Sequence, residues 1–177
     1  MSIGCGLRRG EIAALELSHL RLRDERWVIG DLVGKHGRIR TVPIPAWVKK
    51  LLDVWLQAAN IASGRVFRPV NKADALNGEK MTSQAIYEVI KTYGCRLSFA
   101  IAPHDMRRTF AKLAHAGGAP IEQIQYSLGH GSLTTTERYL GLKQNLKDAP
   151  GDRIQLPNVK PEPACQTTTQ VKQHSRV

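Results

Sequence analysis

A turn sequence between two β-forming segments constrains the fold more than any other feature of the chain. Segments 26–33 and 38–44 are rich in residues with high β propensity. The four residues that join them, Gly34 to Gly37, begin and end with glycine, which is typical of a tight turn. Pro43 and Pro45 end the second segment. The sequence therefore predicts one small antiparallel sheet, built on a β-hairpin.

Apolar residues elsewhere recur at the spacing of helices. Thr82 or Ser83 is suited to cap one of these helices, and Pro120 and the pair Thr134 and Glu137 mark the starts of two others. Segment 67–80 is predicted to be irregular, and no internal repeat is present. The predicted fold class is mainly α with a small antiparallel β-sheet (α+β). The predicted helices cover 10–22, 47–59, 83–92, 107–116, a segment from Pro120 to about Leu128, and a segment that carries Tyr139.

The chain has 177 residues and a formal net charge of +11, with 26 Lys and Arg against 15 Asp and Glu. Residues 144–177 contain four prolines and no sustained apolar period, so we expect a domain over 1–143 and a flexible C-terminal tail over 144–177. The tail has five basic and three acidic residues, which leaves +9 on residues 1–143. This charge indicates a polyanionic partner, most often nucleic acid and less often an anionic membrane surface.

Several classes of protein are disfavoured by simple patterns. No apolar run approaches the roughly 20 residues that span a bilayer, and the first ten residues lack the apolar region of a secretory signal. Cys5, Cys95 and Cys165 are widely spaced and form no CxxC pair, so neither a disulfide framework nor a cysteine zinc site is expected. Reduced thiols fit the cytoplasm.

Three separated clusters carry the side chains that could perform chemistry: Gly6 to Glu11, His104 to Phe110, and Leu128 to Gly131 followed by Thr134 to Tyr139. Each alone has an ordinary structural explanation, such as a surface arginine, a helix cap or a half-buried tyrosine. Their order and spacing together favour a functional interpretation.

The combination resembles the catalytic domain of the tyrosine recombinases, also called phage integrases, which include Xer-type and lambda-type enzymes. The first cluster matches the Gly-Leu-Arg-x-x-Glu box, His104 and Arg107 match the His-x-x-Arg box, and Leu128-Gly129-His130 with Tyr139 nine residues on match the third box. The hairpin with Lys35 is also similar. The resemblance covers about residues 4–142. It implies the tyrosine recombinase catalytic-domain fold, N-terminally truncated, without its first helices and without the separate DNA-clamping domain.

The resemblance implies a nucleophile and a phosphate clamp. Tyr139 would attack the scissile phosphate of DNA and form a 3′-phosphotyrosyl link. Arg8 and Arg107 would hold the non-bridging oxygens, a task that suits planar guanidinium groups with paired donors.

Proton transfer is assigned by the same resemblance. Lys35 would be the general acid for the departing 5′ oxygen, His104 would assist proton transfer at the tyrosine, and His130 would donate a hydrogen bond to a phosphate oxygen. No cofactor is expected, because this chemistry needs neither a metal nor ATP. Further DNA contacts are expected from basic residues near the boxes: Arg9, His36, Arg38, Arg40, Arg108 and Arg138.

The function implied is site-specific DNA recombination on double-stranded DNA, with self-association into a tetrameric synapse, no membrane partner, and a nucleoid-associated, cytoplasmic location in a bacterium or phage. Two alternatives stay open. The chain could be a truncated remnant that binds DNA or a full-length recombinase without exchanging strands. It could also relax DNA in the manner of type IB topoisomerases, although the spacing from Thr134 to Tyr139 is more similar to the integrase branch.

Overall fold

The computed structural model describes residues 1–34 and 37–142, and residues 1–142 form one compact unit. The expected tail, 144–177, lies outside the described residues, as do Lys35 and His36. The helices are α1 Ser2–Cys5, α2 Arg9–Ala14, α3 Ala46–Ala58, α4 Ser83–Arg96, α5 Pro103–Ala116, α6 Ile121–Leu128 and α7 Leu133–Leu140. The strands are β1 Leu20–Arg23, β2 Arg26–Val33 and β3 Ile39–Pro43. The predicted class, mainly α with a small antiparallel sheet, is confirmed.

The sheet has the order β1-β2-β3, and both pairings are antiparallel. Ile29 pairs with Val42 and Leu32 pairs with Arg40, with a bulge between the two pairs. An uninterrupted strand would point Ile29 and Leu32 to opposite faces, because side chains alternate along a strand. The bulge inserts one residue, so both side chains enter the same apolar core.

The helix predicted over 10–22 is wrong in its second half. Helix α2 ends at Ala14, a single 3₁₀ turn covers Leu17–His19, and the chain then enters β1. Leu15 is extended and fully buried, and its carbonyl accepts a hydrogen bond from the backbone of Val66. Pairing with β2 overrides the local helical pattern here, since the pattern records apolar spacing and not the neighbouring strand.

The other helices lie close to their predicted positions, with different details at their surfaces. Thr82 caps α4 as predicted, because its Oγ1 accepts a hydrogen bond from the backbone of Ala85 at 3.0 Å. Ser132, and not Thr134, caps α7. Helices α3 and α4 pack a narrower apolar stripe on the core than their sequences offer, since Leu51 of α3 and Val89 and Tyr93 of α4 are exposed.

Two apolar clusters form the interior of the described part of the chain. The larger surrounds the inner face of the sheet and includes residues of α1, α2, α3 and α4. The smaller joins α5, α6 and α7 around Ala111, Ile124, Leu128 and Leu140. The predicted catalytic residues that the structure describes lie on or beside α2, α5, α6 and α7: Arg8, His104, Arg107, His130 and Tyr139. No helix in the described ranges combines the length and apolarity needed to cross a bilayer.

Gly6 lies where α1 approaches α5, and it requires glycine for two reasons. Its φ is +62°, in the left-handed region, and an added Cβ would lie 2.7 Å from the ring of Phe110. We expect Gly6→Ala to lower the free energy of unfolding by about 2–4 kcal/mol, measured by urea denaturation.

Gly10→Ala is the matched control for this substitution. An added Cβ at Gly10 meets nothing within 4 Å, and the residue lies inside α2. Its stability should be unchanged or up to about 1 kcal/mol higher, because alanine favours a helix. Equal losses in the two variants would contradict the packing described for Gly6.

Candidate active site

Tyr139, near the end of α7, and His104, in the first turn of α5, meet although 35 residues separate them in the sequence. The tyrosine hydroxyl lies 3.1 Å from Nε2 of His104 and shares a hydrogen bond with it. The two rings meet edge-on, with centroids 5.3 Å apart. A hydroxyl and an imidazole at this distance can exchange a proton directly.

His130, which follows the C-terminal end of α6, contacts the same tyrosine. Gly129 ends α6 in the left-handed conformation, with φ at +63°, and this turn leads into His130. The His130 ring lies edge-on to the Tyr139 ring at a centroid distance of 5.2 Å. Its Nδ1 is 3.1 Å from Oγ1 of Thr136 on α7. Two imidazoles therefore flank the tyrosine.

Arg107 joins the three sequence clusters. The residue is only 2% exposed, and its guanidinium donates hydrogen bonds to the carbonyls of Gly6 and Leu128. These carbonyls lie at the C-terminal ends of α1 and α6, where no further helical N–H is available to them. Burial, with the positive charge of Arg8 nearby, lowers the pKa of Arg107 to about 10, so it stays charged at neutral pH.

Glu11 lies between two arginines. Its carboxylate accepts hydrogen bonds from the backbone N–H of Arg8 at 2.7 Å and from Nη1 of Arg8 at 2.8 Å. Nη1 and Nη2 of Arg40 donate to the two carboxylate oxygens at 3.0 and 2.8 Å. Burial by itself raises the pKa of Glu11, but these hydrogen bonds more than offset it and hold the pKa below its ordinary value. Glu11 is thus an anion that orients Arg8.

Arg40 completes this network from strand β3. Its Nε donates to the carbonyl of Ser127 at 3.0 Å, so the side chain connects α2 with the end of α6. An added Cβ at Gly129 would lie 3.0 Å from this side chain, which shows how closely the turn approaches it. Arg40 was predicted as a DNA contact, but its side chain is 9% exposed and its hydrogen bonds are made to protein acceptors. Sequence reasoning missed this network, although Glu11 stands within the first box.

The other residues predicted to contact DNA occupy more open positions. Arg108 lies over the Tyr139 ring at 5.5 Å, and Arg9 lies over the ring of Tyr87 at 5.8 Å. Arg38 approaches the backbone of Gly131, Arg138 is exposed on α7, and Lys35 and His36 lie outside the described residues. The described edge of the hairpin nevertheless reaches the site: an added Cβ at Gly34 would lie 3.6 Å from Nη1 of Arg8.

Two cation-lined pockets share His104. One, of about 350 Å³, is lined by Arg8, Arg9, Tyr87, Ala102, Pro103, His104 and Arg107. The other, of about 420 Å³, is lined by His104, Arg108, Lys112, Thr135, Arg138, Tyr139, Leu140 and Gly141. No acidic side chain of the described residues lines either pocket, so both suit an anion. Within the described ranges, no three His, Cys, Asp or Glu side chains are grouped as a metal site requires.

The pKa values of the site indicate which groups are neutral. Burial, followed by the charges of Arg107 and Arg8, lowers the pKa of His130 to about 4, so this imidazole is neutral at pH 7. Burial raises the pKa of Tyr139, although Arg107 and Arg108 oppose the effect. The phenol is therefore protonated at rest and needs a proton acceptor, and His104 is in hydrogen-bonding distance.

The Glu11 network predicts a defined effect on stability. Arg40→Gln leaves a buried carboxylate with one partner fewer, and we expect the free energy of unfolding at pH 7 to fall by about 3–5 kcal/mol. Arg21→Gln is the control, because Arg21 and Asp31 form an exposed ion pair, and its loss should cost about 0–1 kcal/mol. Equal effects would contradict a structural role for Arg40.

The same network makes stability depend on pH. A carboxyl group whose pKa is lowered by folding stabilises the protein above its unfolded pKa, about 4.3 for glutamate, and loses this contribution as pH falls through the folded pKa. Unfolding measured between pH 7 and pH 2 should therefore show a steeper acid loss in the wild type than in Glu11→Gln. Parallel profiles would show that Glu11 has an ordinary pKa.

The chain is similar to a known family and to several of its members. The model of the phage integrase family matches residues 1–145. The tyrosine recombinase XerC of Myxococcus xanthus is 33% identical over 145 residues, covering 77% of this chain and 46% of the relative. XerA of Pyrococcus furiosus is 30% identical over 147 residues, covering 82% and 50%. The chain thus spans about half the length of the curated relatives it matches.

Solved structures show the same fold. The crystal structure of XerA recombinase superposes with a TM-score of 0.62 at 24% identity, covering 80% of this chain and 50% of that one. XerH bound to its difH substrate, in a post-cleavage complex, gives 0.62 at 21% identity, covering 81% and 40%. The three boxes, the fold and the family match agree, and the chain belongs to the phage integrase family of tyrosine recombinases.

Proposed function

We propose that this chain is the catalytic part of a site-specific DNA recombinase that cleaves and rejoins double-stranded DNA through a 3′-phosphotyrosyl intermediate. The observation that carries the proposal is the hydrogen bond between Tyr139 and His104 beside a pocket lined by Arg8 and Arg107. A tyrosine hydroxyl, a histidine that can accept its proton and two arginines are thereby close together, which supports the proposed attack on a phosphate.

The first step is attack on the scissile phosphate. The Tyr139 oxygen forms a bond to phosphorus while its proton passes to His104, and the bond from phosphorus to the 5′ oxygen breaks. Negative charge builds on the non-bridging oxygens, where Arg8, with its position held by Glu11, offers its remaining donors. The departing 5′ oxygen takes up a proton, a role that we assign to Lys35 on the family resemblance.

The second step reverses the first on another strand. A 5′ hydroxyl attacks the phosphotyrosyl phosphorus, the bond to Tyr139 breaks, and the tyrosine regains a proton. The number of phosphoester bonds is conserved, so rejoining needs no ATP, and we propose that no metal takes part. The same covalent chemistry could relax supercoils, and a plasmid relaxation assay distinguishes that activity from strand exchange.

We propose double-stranded DNA as the partner and assembly with further copies of the chain on it. The +9 charge over residues 1–143 supports the first part, as do the cations in both pockets. XerH, which has a similar fold, was solved with its difH substrate. The setting we propose is bacterial or phage DNA.

The nucleophile can be tested with a covalent trap. Incubated with a nicked recombination-site duplex, the wild-type chain should form a denaturant-resistant protein–DNA adduct, with or without EDTA. Tyr139→Phe should form none, since the attacking oxygen is absent. Tyr126→Phe is the matched control, because Tyr126 is an exposed tyrosine on α6 and should leave the adduct unchanged.

Other outcomes of the trap separate the alternatives. An adduct in Tyr139→Phe would show that another residue is the nucleophile. Salt-dependent DNA binding without an adduct on any substrate would favour a DNA-binding remnant over an enzyme.

The basic pocket beside Tyr139 predicts a salt effect. Arg108→Gln should weaken DNA binding and reduce the slope of log K against log salt by about 1, because one phosphate contact is lost. Binding is measured by fluorescence anisotropy at several salt concentrations. Arg23→Gln, on β1 and outside both pockets, should leave the slope unchanged, and an unchanged slope in Arg108→Gln would show that Arg108 does not contact phosphate.

A further inference from the structure

Thr136 is a buried polar side chain in the middle of α7. It is 0% exposed, and its Oγ1 lies 3.1 Å from Nδ1 of His130. Tyr139 follows three residues later on the same helix, so the two side chains project from neighbouring positions of one face. We infer that Thr136 is a positioning residue that sets the tautomer of His130, with the ring proton on Nε2.

The direction of this hydrogen bond follows from the number of protons available. The threonine hydroxyl has one proton, and Nδ1 of His130 is the partner found for Oγ1 among the described residues. If Nδ1 carried the ring proton, it would donate to Oγ1 and leave the hydroxyl proton buried without an acceptor. A buried unpaired donor costs free energy, so the hydroxyl donates and Nδ1 accepts.

A helical threonine has two competing acceptors, the carbonyls three and four residues earlier. For Thr136 these carbonyls belong to Leu133 and Ser132. Oγ1 forms a hydrogen bond with neither of them in the described part of the chain, so the hydroxyl donates to His130.

The second ring nitrogen of His130 is free to act on a ligand. Nε2 makes no hydrogen bond to any described residue. In those ranges the sole fully buried side-chain polar atom without a hydrogen-bond partner is Oγ of Ser2, so the unpaired Nε2 must have some surface exposed. The ring is neutral, since burial and the nearby Arg107 disfavour a second proton. With Nδ1 occupied as an acceptor, Nε2 presents an N–H.

The tautomer of His130 does not depend on the proposed function, but its consequence for phosphate binding does. An N–H on His130 next to Tyr139 can donate to a phosphate oxygen, whereas the other tautomer would present a lone pair and repel it. Helix α7 thus supplies both the tyrosine and the hydroxyl that orients the histidine, so one element brings both into the site.

The tautomer can be measured without any DNA. Two-bond ¹H–¹⁵N correlation spectra of the full chain, labelled at histidine, distinguish a protonated from an unprotonated ring nitrogen. In the wild type we expect Nε2 protonated and Nδ1 unprotonated and hydrogen-bonded. In Thr136→Val, which keeps the side-chain shape, the Nδ1 resonance should shift and the ring should populate both tautomers.

Two further variants serve as matched controls. Thr136→Ser keeps the hydroxyl and should retain the wild-type spectrum, and Thr134→Val removes an exposed hydroxyl from the same helix and should also retain it. A proton on Nδ1 in the wild type would overturn the inference. So would an unchanged Nδ1 resonance in Thr136→Val.

The covalent trap supplies the second readout. Thr136→Val should slow adduct formation about tenfold, because the free energy of one hydrogen bond corresponds to about that factor in a rate. Thr136→Ser should stay within about threefold of the wild type. Equal slowing in Thr136→Ser and Thr136→Val would overturn the role of the hydroxyl. If the wild type forms no adduct, the proposed function fails and the spectra alone decide the tautomer.

Discussion

The buried guanidinium of Arg107 is the interaction on which the site depends. It binds one carbonyl at the end of α1 and another at the end of α6, and it extends from α5. A cation enclosed in this way is costly unless its donors are paired, so the two helix ends are held where their carbonyls can accept. The hydrogen bonds of Arg107 thereby link the larger apolar cluster to the smaller one. Arg8, His104 and His130 lie around this guanidinium.

Positive charges outnumber negative charges among the described residues of the site. Glu11 is the buried acidic group, and it is shared between Arg8 and Arg40, which leaves the charge of Arg107 without a carboxylate of its own among the described residues. Burial, together with the positive potential of this arrangement, lowers the pKa of His130. The same potential opposes the rise in the pKa of Tyr139 that burial causes. A phosphate that entered would supply the missing negative charge, so the two pockets, which no acidic side chain of the described residues lines, suit an anion.

Helix α7 has a further part in this arrangement. Ser132 caps the start of the helix, Thr136 hydrogen-bonds to His130, and Tyr139 hydrogen-bonds to His104. These three polar contacts, about one turn apart, orient one short element. An eight-residue helix has little stability of its own, and these contacts with the apolar packing of Leu140 hold it in place. The position of the tyrosine is therefore a property of α5, α6 and α7 together.

Local features were determined by the sequence itself. The cap at Thr82 and the helix ends at Gly117 and Gly129 depend on residues a few positions apart, and the order of the boxes was sufficient to indicate the family. Contacts between residues distant in the chain were decided only by the tertiary structure. Strand β1 formed where the apolar pattern predicted helix, because β2 pairs with it. Arg40 turned to Glu11 and Ser127, 29 and 87 residues away, and Arg107 reached Gly6 across 101 residues. Hydrogen bonds of that span depend on packing that no local pattern records.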